Sequence, residues 1–222
     1  AGLLRQQKRY EEAIVYYNSA LRINPAWAEV LAGIAAAYLQ LAKLDDALNT
    51  YRSLLRVTGE NATLYTQLGF LFEKKQLQQE AEQYYFAQGF CLLQQKEYQK
   101  AKMNFLRISY SDSYFDEKNY YIAYCDYSLG DYTAAQQGFE RCKLTKYEEP
   151  ALYHLLQIHE QMGNSPEAVK VGRELIQKYP NNPNNTEAFR VIEEEIPESY
   201  ERTLILDFIR SSERGIVRGT MD

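Results

Sequence analysis

The sequence is poor in the residues that most often bind metals or form cross-links. Its 222 residues include only two histidines and three cysteines. His154 and His159 lie five residues apart, so on a helix they point to different faces and cannot share a metal ion. The spacing of Cys91, Cys125 and Cys142 matches no zinc-binding pattern. The sequence therefore predicts no metal site, and we expect the cysteines to be small core residues.

Motifs of catalysis are absent as well. There is no glycine-rich phosphate loop, no GxSxG elbow and no HExxH motif. The adjacent carboxylates Asp45-Asp46 and Glu193-Glu194-Glu195 do not face one another on a helix, which indicates a solvated surface rather than an acid–base pair. We expect the chain not to be an enzyme and to bind no cofactor.

Long apolar runs and an excess of positive charge are also missing. No run approaches the roughly 20 apolar residues that span a bilayer, and no signal peptide is visible. The net charge of −5 argues against a nucleic-acid partner, because phosphate binding depends on a basic surface. Since the first residue is Ala1 rather than methionine, removal of an upstream segment stays open, and with it a cytoplasmic or a bacterial periplasmic location.

Two features are abundant: tyrosine and a repeated phrase. Twenty residues are tyrosine, whose apolar ring and polar hydroxyl suit positions between a core and a groove. Six alanines follow one another at intervals of 34, 34, 20, 34 and 33 residues, and a period near 34 is typical of stacked helix pairs. They are Ala13 in KRYEEAIVYY, Ala47 in AKLDDALNTY, Ala81 in QLQQEAEQYY, Ala101 in KEYQKAKMNF, Ala135 in GDYTAAQQGF and Ala168 in GNSPEAVKVG.

These phrases resemble the tetratricopeptide repeat over roughly residues 1–195. In that family, helix A carries Leu-Gly followed by an aromatic residue, and helix B carries an alanine, an aromatic residue and a closing proline. The segment TLYTQLGFLFEKKQ supplies Leu68, Gly69 and Phe72, and a later segment supplies Ala135 and Phe139. The resemblance implies an all-α solenoid of about six helix–turn–helix units, with the first and last incomplete.

The same pattern predicts the individual helices. Gly130 and Gly163 stand where helix A ends, a position that favours a residue tolerating a left-handed backbone. The tail GIVRGTMD, residues 215–222, is expected to be disordered or to lie extended in a groove. Helices are predicted near 3–7 (a truncated helix A), 11–23, 28–41, 45–57, 62–75, 79–94, 98–109, 114–128, 132–143, 149–162, 166–178, 186–195 and 198–212.

The interval of 20 residues between Ala81 and Ala101 is shorter than the period by about one helix. Either a helix is absent, or residues are missing from the sequence and the residue numbers continue across the gap. We favour the first explanation. It divides the chain into an N-terminal block at 1–78, a C-terminal block at 79–195, and a closing helix and tail at 196–222.

The resemblance also implies that helix A residues beside the packing stripe line a concave groove. Tyr120, Tyr124 and Tyr127 follow the spacing of one helical stripe, which fits core packing and partner binding equally well. A chaperone-tail receptor is disfavoured, because the faces AEVLAGIAAAY and ATLYTQLGFLF offer no Lys, Arg or Asn to a carboxylate. The predicted partner-binding residues are Gln67, Phe70, Phe86, Phe90, Tyr120, Tyr121, Tyr124, Tyr127, Tyr153 and Gln157.

The sequence therefore predicts a non-enzymatic scaffold that binds a protein or peptide partner in a tyrosine-rich groove. Two alternatives stay open. The chain is similar at LIQKYPNNPNNTEAF to exported bacterial envelope repeat proteins or lipoproteins, and it could equally be the regulatory array of a larger protein. Self-association through the tail or the array ends is a further possibility.

Overall fold

The computed structural model describes residues 2–109 and 114–195, and every regular element of that part is an α-helix. This confirms the all-α array of helix pairs. The closing helix predicted near 198–212 and the tail from Gly215 lie outside the described residues. The helices are α1 Gly2–Ile23, α2 Ala28–Gln40, α3 Leu44–Thr58, α4 Ala62–Lys74, α5 Gln78–Gln94, α6 Tyr98–Leu106, α7 Phe115–Ser128, α8 Tyr132–Cys142, α9 Glu148–Gln161, α10 Ser165–Lys178 and α11 Asn185–Glu195.

The helices form two compact units, whose boundary falls between Lys118 and Asn119, inside α7. In the first unit, α1 to α6 pack in chain order, each against the next. In the second unit, α8 to α11 pack in the same way, and the part of α7 from Asn119 onward lies on α8. The division of the repeats between residues 78 and 79 stays a prediction.

The start of the chain differs from the prediction. Two helices near 3–7 and 11–23 were expected, with a turn between them, but α1 is one helix from Gly2 to Ile23. The intervening residues Lys8, Arg9 and Tyr10 include no proline or glycine to end a helix. A first helix of five residues is also too short to form a stable pair with the second.

Five turns between helix A and helix B share one backbone conformation. The residue five positions before each packed alanine has a positive φ, and the amide after it donates to a carbonyl five residues back, as Leu77 does to Phe72 at 2.9 Å. This is the Schellman ending of a helix. This ending was predicted at Gly130 and Gly163 and was not predicted at Ala42, Gln76 and Lys96. The φ angles are 54° at Ala42, 58° at Gln76, 60° at Lys96, 82° at Gly130 and 67° at Gly163.

Two crossings of the first unit, α4 with α5 and α5 with α6, place a glycine against an aromatic ring sixteen residues later. A Cβ atom at Gly69 would lie 2.6 Å from Cε1 of Tyr85, and one at Gly89 would lie 2.8 Å from Cε1 of Phe105. Because both distances are shorter than van der Waals contact, any larger residue would push the helices apart. The helix α5 therefore acts twice: its Tyr85 packs on α4, and its Gly89 receives the ring of α6.

The cysteines lie mostly where the repeat pattern places them. Cys125 and Cys142 are buried, as expected for small core residues, and Cys91 is half-buried. All three are free thiols. Cys142 packs in the core of the second unit, which also contains Phe139, Leu152 and Leu155.

We expect Gln76→Gly to stabilise the protein by about 0.5–1 kcal/mol, because glycine adopts the left-handed backbone of this turn without strain. Urea denaturation of the variant and the parent measures the difference. Gly130→Ala is the matched control: nothing lies within 4 Å of the added Cβ, so the backbone strain alone should destabilise the protein by about 1 kcal/mol. Equal stabilities for Gln76→Gly and the parent would contradict the assignment of a left-handed backbone to Gln76.

Candidate partner-binding site

Four of the predicted site residues lie in the first unit, on the neighbouring helices α4 and α5. Phe70 is 45% exposed and Phe90 is 36% exposed. Gln67 and Phe86 are half-buried. The ring of Phe86 stacks on Tyr114, with the centroids 4.8 Å apart, so the chain itself covers part of this residue.

The other six predicted residues lie in the second unit, and the structure brings them together. All are half-buried, and four of the five tyrosine rings, the exception being Tyr121, are packed against the core of the unit. Each ring of the stripe on α7 is therefore partly core and partly surface. We call the five tyrosines the tyrosine cluster; the six residues are Tyr120, Tyr121, Tyr124 and Tyr127 on α7, and Tyr153 and Gln157 on α9.

His154 of α9 stands at the centre of this cluster. Its ring centroid lies 5.5 Å from that of Tyr124, 5.3 Å from Tyr127 and 5.7 Å from Tyr153. On α8, Phe139 stacks on the imidazole at 4.8 Å, with an interplanar angle of 23°. The imidazole thus links rings from α7, α8 and α9, and the positions of these rings depend on one another.

Two hydrogen bonds fix the polar atoms of α9. Nε2 of Gln157 donates to the hydroxyl of Tyr153 at 3.0 Å, which leaves Oε1 of Gln157 to accept from Nδ1 of His154 at 3.1 Å. The proton of the neutral imidazole is therefore on Nδ1. Burial lowers the pKa of His154, although the bond to Gln157 opposes this in part.

The hydroxyls of Tyr120 and Tyr127 are protonated at neutral pH. Burial, reinforced by the neighbouring tyrosines, raises the pKa of Tyr120 to about 12. Burial likewise raises the pKa of Tyr127. The cluster therefore presents apolar ring surface and neutral hydroxyls, which can donate to or accept from the backbone of a bound chain.

Three aromatic contacts were not predicted from the sequence. Tyr147 stacks on Tyr120 with the centroids 4.7 Å apart. The other two are the contacts of Phe139 with His154 and of Tyr114 with Phe86. Tyr147 precedes His154 by seven residues, so helical spacing could have placed both on one face. The other two contacts join distant parts of the sequence and left no local signal.

In residues 2–109 and 114–195, no group of His, Cys, Asp and Glu side chains is arranged to hold a metal ion. Within the same ranges, none of the helices combines the length and the apolar character that crossing a membrane requires.

We expect the free energy of unfolding to fall as the pH is lowered below about 6.5, the ordinary pKa of an exposed histidine. Burial lowers the pKa of both His154 and His159 in the folded protein. The unfolded chain therefore binds more protons, and the stability is present above pH 6.5 and is lost as the pH falls through the folded-state pKa values.

Urea denaturation between about pH 7.5 and about pH 5.5, where carboxylates stay ionised, measures this effect. The variant His154→Gln should show a shallower dependence on pH than the parent. A free energy of unfolding that rises towards acid would contradict the prediction.

Comparisons with known proteins agree with the architecture. The tetratricopeptide repeat family model matches residues 4–68, which confirms the resemblance noted in the sequence. No curated protein sequence matches this chain.

Solved structures are similar to this chain at low sequence identity. The structure of Naa15/Naa10 bound to HypK-THB has a TM-score of 0.50 and 16% identity, covering 94% of this chain and 35% of that one. The APC/C hetero-tetramer Cut9–Hcn1 has a TM-score of 0.45 and 14% identity, over 86% of this chain and 40% of that one. This chain thus spans less than half the length of either.

YrrB, described as a TPR protein with an unusual peptide-binding site, has a TM-score of 0.47 and 17% identity, over 78% of this chain and 97% of that one. At these identities the similarity concerns the fold alone. The family match and the helix packing agree: residues 4–68 match the tetratricopeptide repeat model, and the described helices pack in chain order within each unit, as the helices of such an array do.

Proposed function

We propose that this chain is a non-catalytic scaffold that binds an extended segment of a partner protein on the tyrosine cluster. The observation that carries the proposal is the grouping of six predicted residues in one part of the second unit. Tetratricopeptide repeat proteins generally mediate interactions between proteins, and this grouping supports a specific place for the interaction.

The packing of the cluster favours binding. Tyr120, Tyr124 and Tyr127 are held by contacts with His154 and with the core, so few rotamers are lost when a partner binds. Aromatic side chains that are already ordered provide large contact area at a low cost in entropy. Such residues are also the ones most enriched at the energetic centres of interfaces.

The polar groups of the same region support recognition of a backbone. Tyrosine hydroxyls and the amide of Gln157 can form hydrogen bonds with the peptide groups of an extended segment. The hydroxyl of Tyr153 accepts from Gln157 and keeps its own proton available for donation. Ring contacts would supply most of the affinity, and these hydrogen bonds would set the register.

The ionisable side chains of the second unit hold its helices together, which agrees with the role of a scaffold. His154 is enclosed by rings and bonded to Gln157. Several carboxylates connect helices: Glu174 of α10 accepts from Lys143 at 2.9 Å, and Glu148 of α9 accepts from Tyr179 at 2.7 Å.

Tyr124→Ala and Tyr127→Ala should each weaken partner binding by about tenfold or more, because they remove ring contacts of the cluster. The immobilised chain first captures partners, which are identified by mass spectrometry. Calorimetry with one purified partner then gives the affinities. Tyr16→Ala, at a residue of α1 that is 77% exposed, is the matched control and should bind as the parent does.

Unfolding measurements on the same variants separate binding from folding. A loss of about 3–5 kcal/mol of stability in Tyr124→Ala, the scale of a buried aromatic truncation, would assign this ring to the core instead. Unchanged affinity in both cluster variants would overturn the proposed site.

A further inference from the structure

Charged side chains are unevenly distributed among the helices of the second unit. From Asn119 to Ser128, α7 carries a single charged residue, Asp126, and α9 carries Glu148, Glu149 and Glu160 without any lysine or arginine. The cations between residues 119 and 178 all lie on α8, on α10 or in the turn after α8. They are Arg141, Lys143, Lys146, Lys170, Arg173 and Lys178.

Arg190 of α11 is the one cation on the A helices within residues 119–195, and three carboxylates surround it. Its guanidinium lies 2.5 Å from Glu160, 2.9 Å from Glu187 and 2.9 Å from Glu194. Its charge is therefore more than compensated where it lies. The A helices of this unit keep an excess of negative charge, in addition to the tyrosine rings.

The first unit shows how this chain holds a cation on a tyrosine. The Cζ atom of Arg107 lies 3.8 Å from the ring centroid of Tyr85, and one guanidinium nitrogen donates to the Tyr85 hydroxyl at 2.8 Å. The same nitrogen lies 3.0 Å from a carboxylate oxygen of Glu73. A ring face, a hydroxyl and a carboxylate thus act together on one guanidinium.

The second unit contains the same three kinds of group on its A helices. The rings of the tyrosine cluster provide the faces and hydroxyls. Glu160, one of the carboxylates paired with Arg190, follows Tyr153 and Gln157 at helical spacing along α9 and is the smallest contributor to the raised pKa of Tyr127. Negative potential and ring quadrupoles both attract cations, and both disfavour an acidic segment.

We infer that the partner segment is basic, and that its arginine or lysine side chains lie against the tyrosine cluster as Arg107 lies against Tyr85. The inference rests on the proposed function and adds the chemistry of the partner. It commits to an extended, arginine-rich segment of another protein.

Three fluorescein-labelled peptides test the inference against the full chain by fluorescence polarisation. They share one flexible background and differ at every third residue, which is arginine, citrulline or glutamate. Citrulline keeps the shape of arginine and lacks its charge. At low salt the arginine peptide should bind about tenfold more tightly than the citrulline peptide, and its affinity should fall as salt screens the charges.

A pair of variants distinguishes ring electrostatics from simple apolar contact. Tyr124→Phe keeps the aromatic face and should bind the arginine peptide nearly as the parent does, whereas Tyr124→Leu should lose several-fold in affinity. Tyr127→Leu provides a second position in case Tyr124→Leu unfolds, and thermal unfolding is measured for each variant. Tyr16→Leu, on α1, is the control and should have no effect.

Equal binding of the arginine and citrulline peptides at the cluster would overturn the basic partner and leave the proposed function standing. Failure of the arginine peptide to bind at low salt would also overturn it, as would equal losses in Tyr124→Phe and Tyr124→Leu. The proposed function itself fails only if a captured partner ignores Tyr124→Ala and Tyr127→Ala.

Discussion

The contact between a glycine on one helix and an aromatic ring on the next sets the distance between α4 and α5 and between α5 and α6. At Gly69 and Gly89 the space for a Cβ atom is already taken by Tyr85 and Phe105. Removing the side chain on one helix lets a large ring on the other fill the crossing, so apolar burial is high although the backbones are close. Once this distance is fixed, the turns that join the helices must be short and sharply bent. This agrees with the left-handed backbone of Gln76 and Lys96, the non-glycine residues in the turns after α4 and α5.

The same contact explains how α5 accommodates the short interval between repeats. In the usual pattern a helix provides either the glycine or the ring, but α5 provides Tyr85 to α4 and Gly89 to α6. The two positions lie four residues apart, about one helical turn, so one face of the helix serves both neighbours. Arg107 adds to this arrangement, because it contacts Tyr85 of α5 and Glu73 of α4. By contacting both of its neighbours, α5 links the three consecutive helices α4, α5 and α6.

In the second unit, the residues that stabilise the fold are also those proposed to bind a partner. His154 packs against rings of α7, α8 and α9, and the outer parts of the tyrosine rings remain at the surface. A rigid surface of this kind binds with a small loss of entropy, but its residues cannot change without an effect on packing. Cations are divided unevenly as well: Arg190 is the one cation on the A helices within residues 119–195, whereas α8, α10 and the turn after α8 carry six.

The recurring alanines and the glycines at helix ends determined the helical class, the order of the elements and most helix bounds, because periodic burial and backbone tolerance are local properties of the sequence. They failed at α1, where no local signal showed that a five-residue helix would merge with the next. The stripe of Tyr120, Tyr124 and Tyr127 was visible in the same way, since three residues on one helix share a face by spacing alone. Only the tertiary structure decided that His154 stands at the centre of these rings, that Tyr114 covers Phe86 and that Arg107 lies on Tyr85. These contacts join residues 22–34 positions apart, and their geometry depends on how neighbouring helices pack rather than on the period of any one of them.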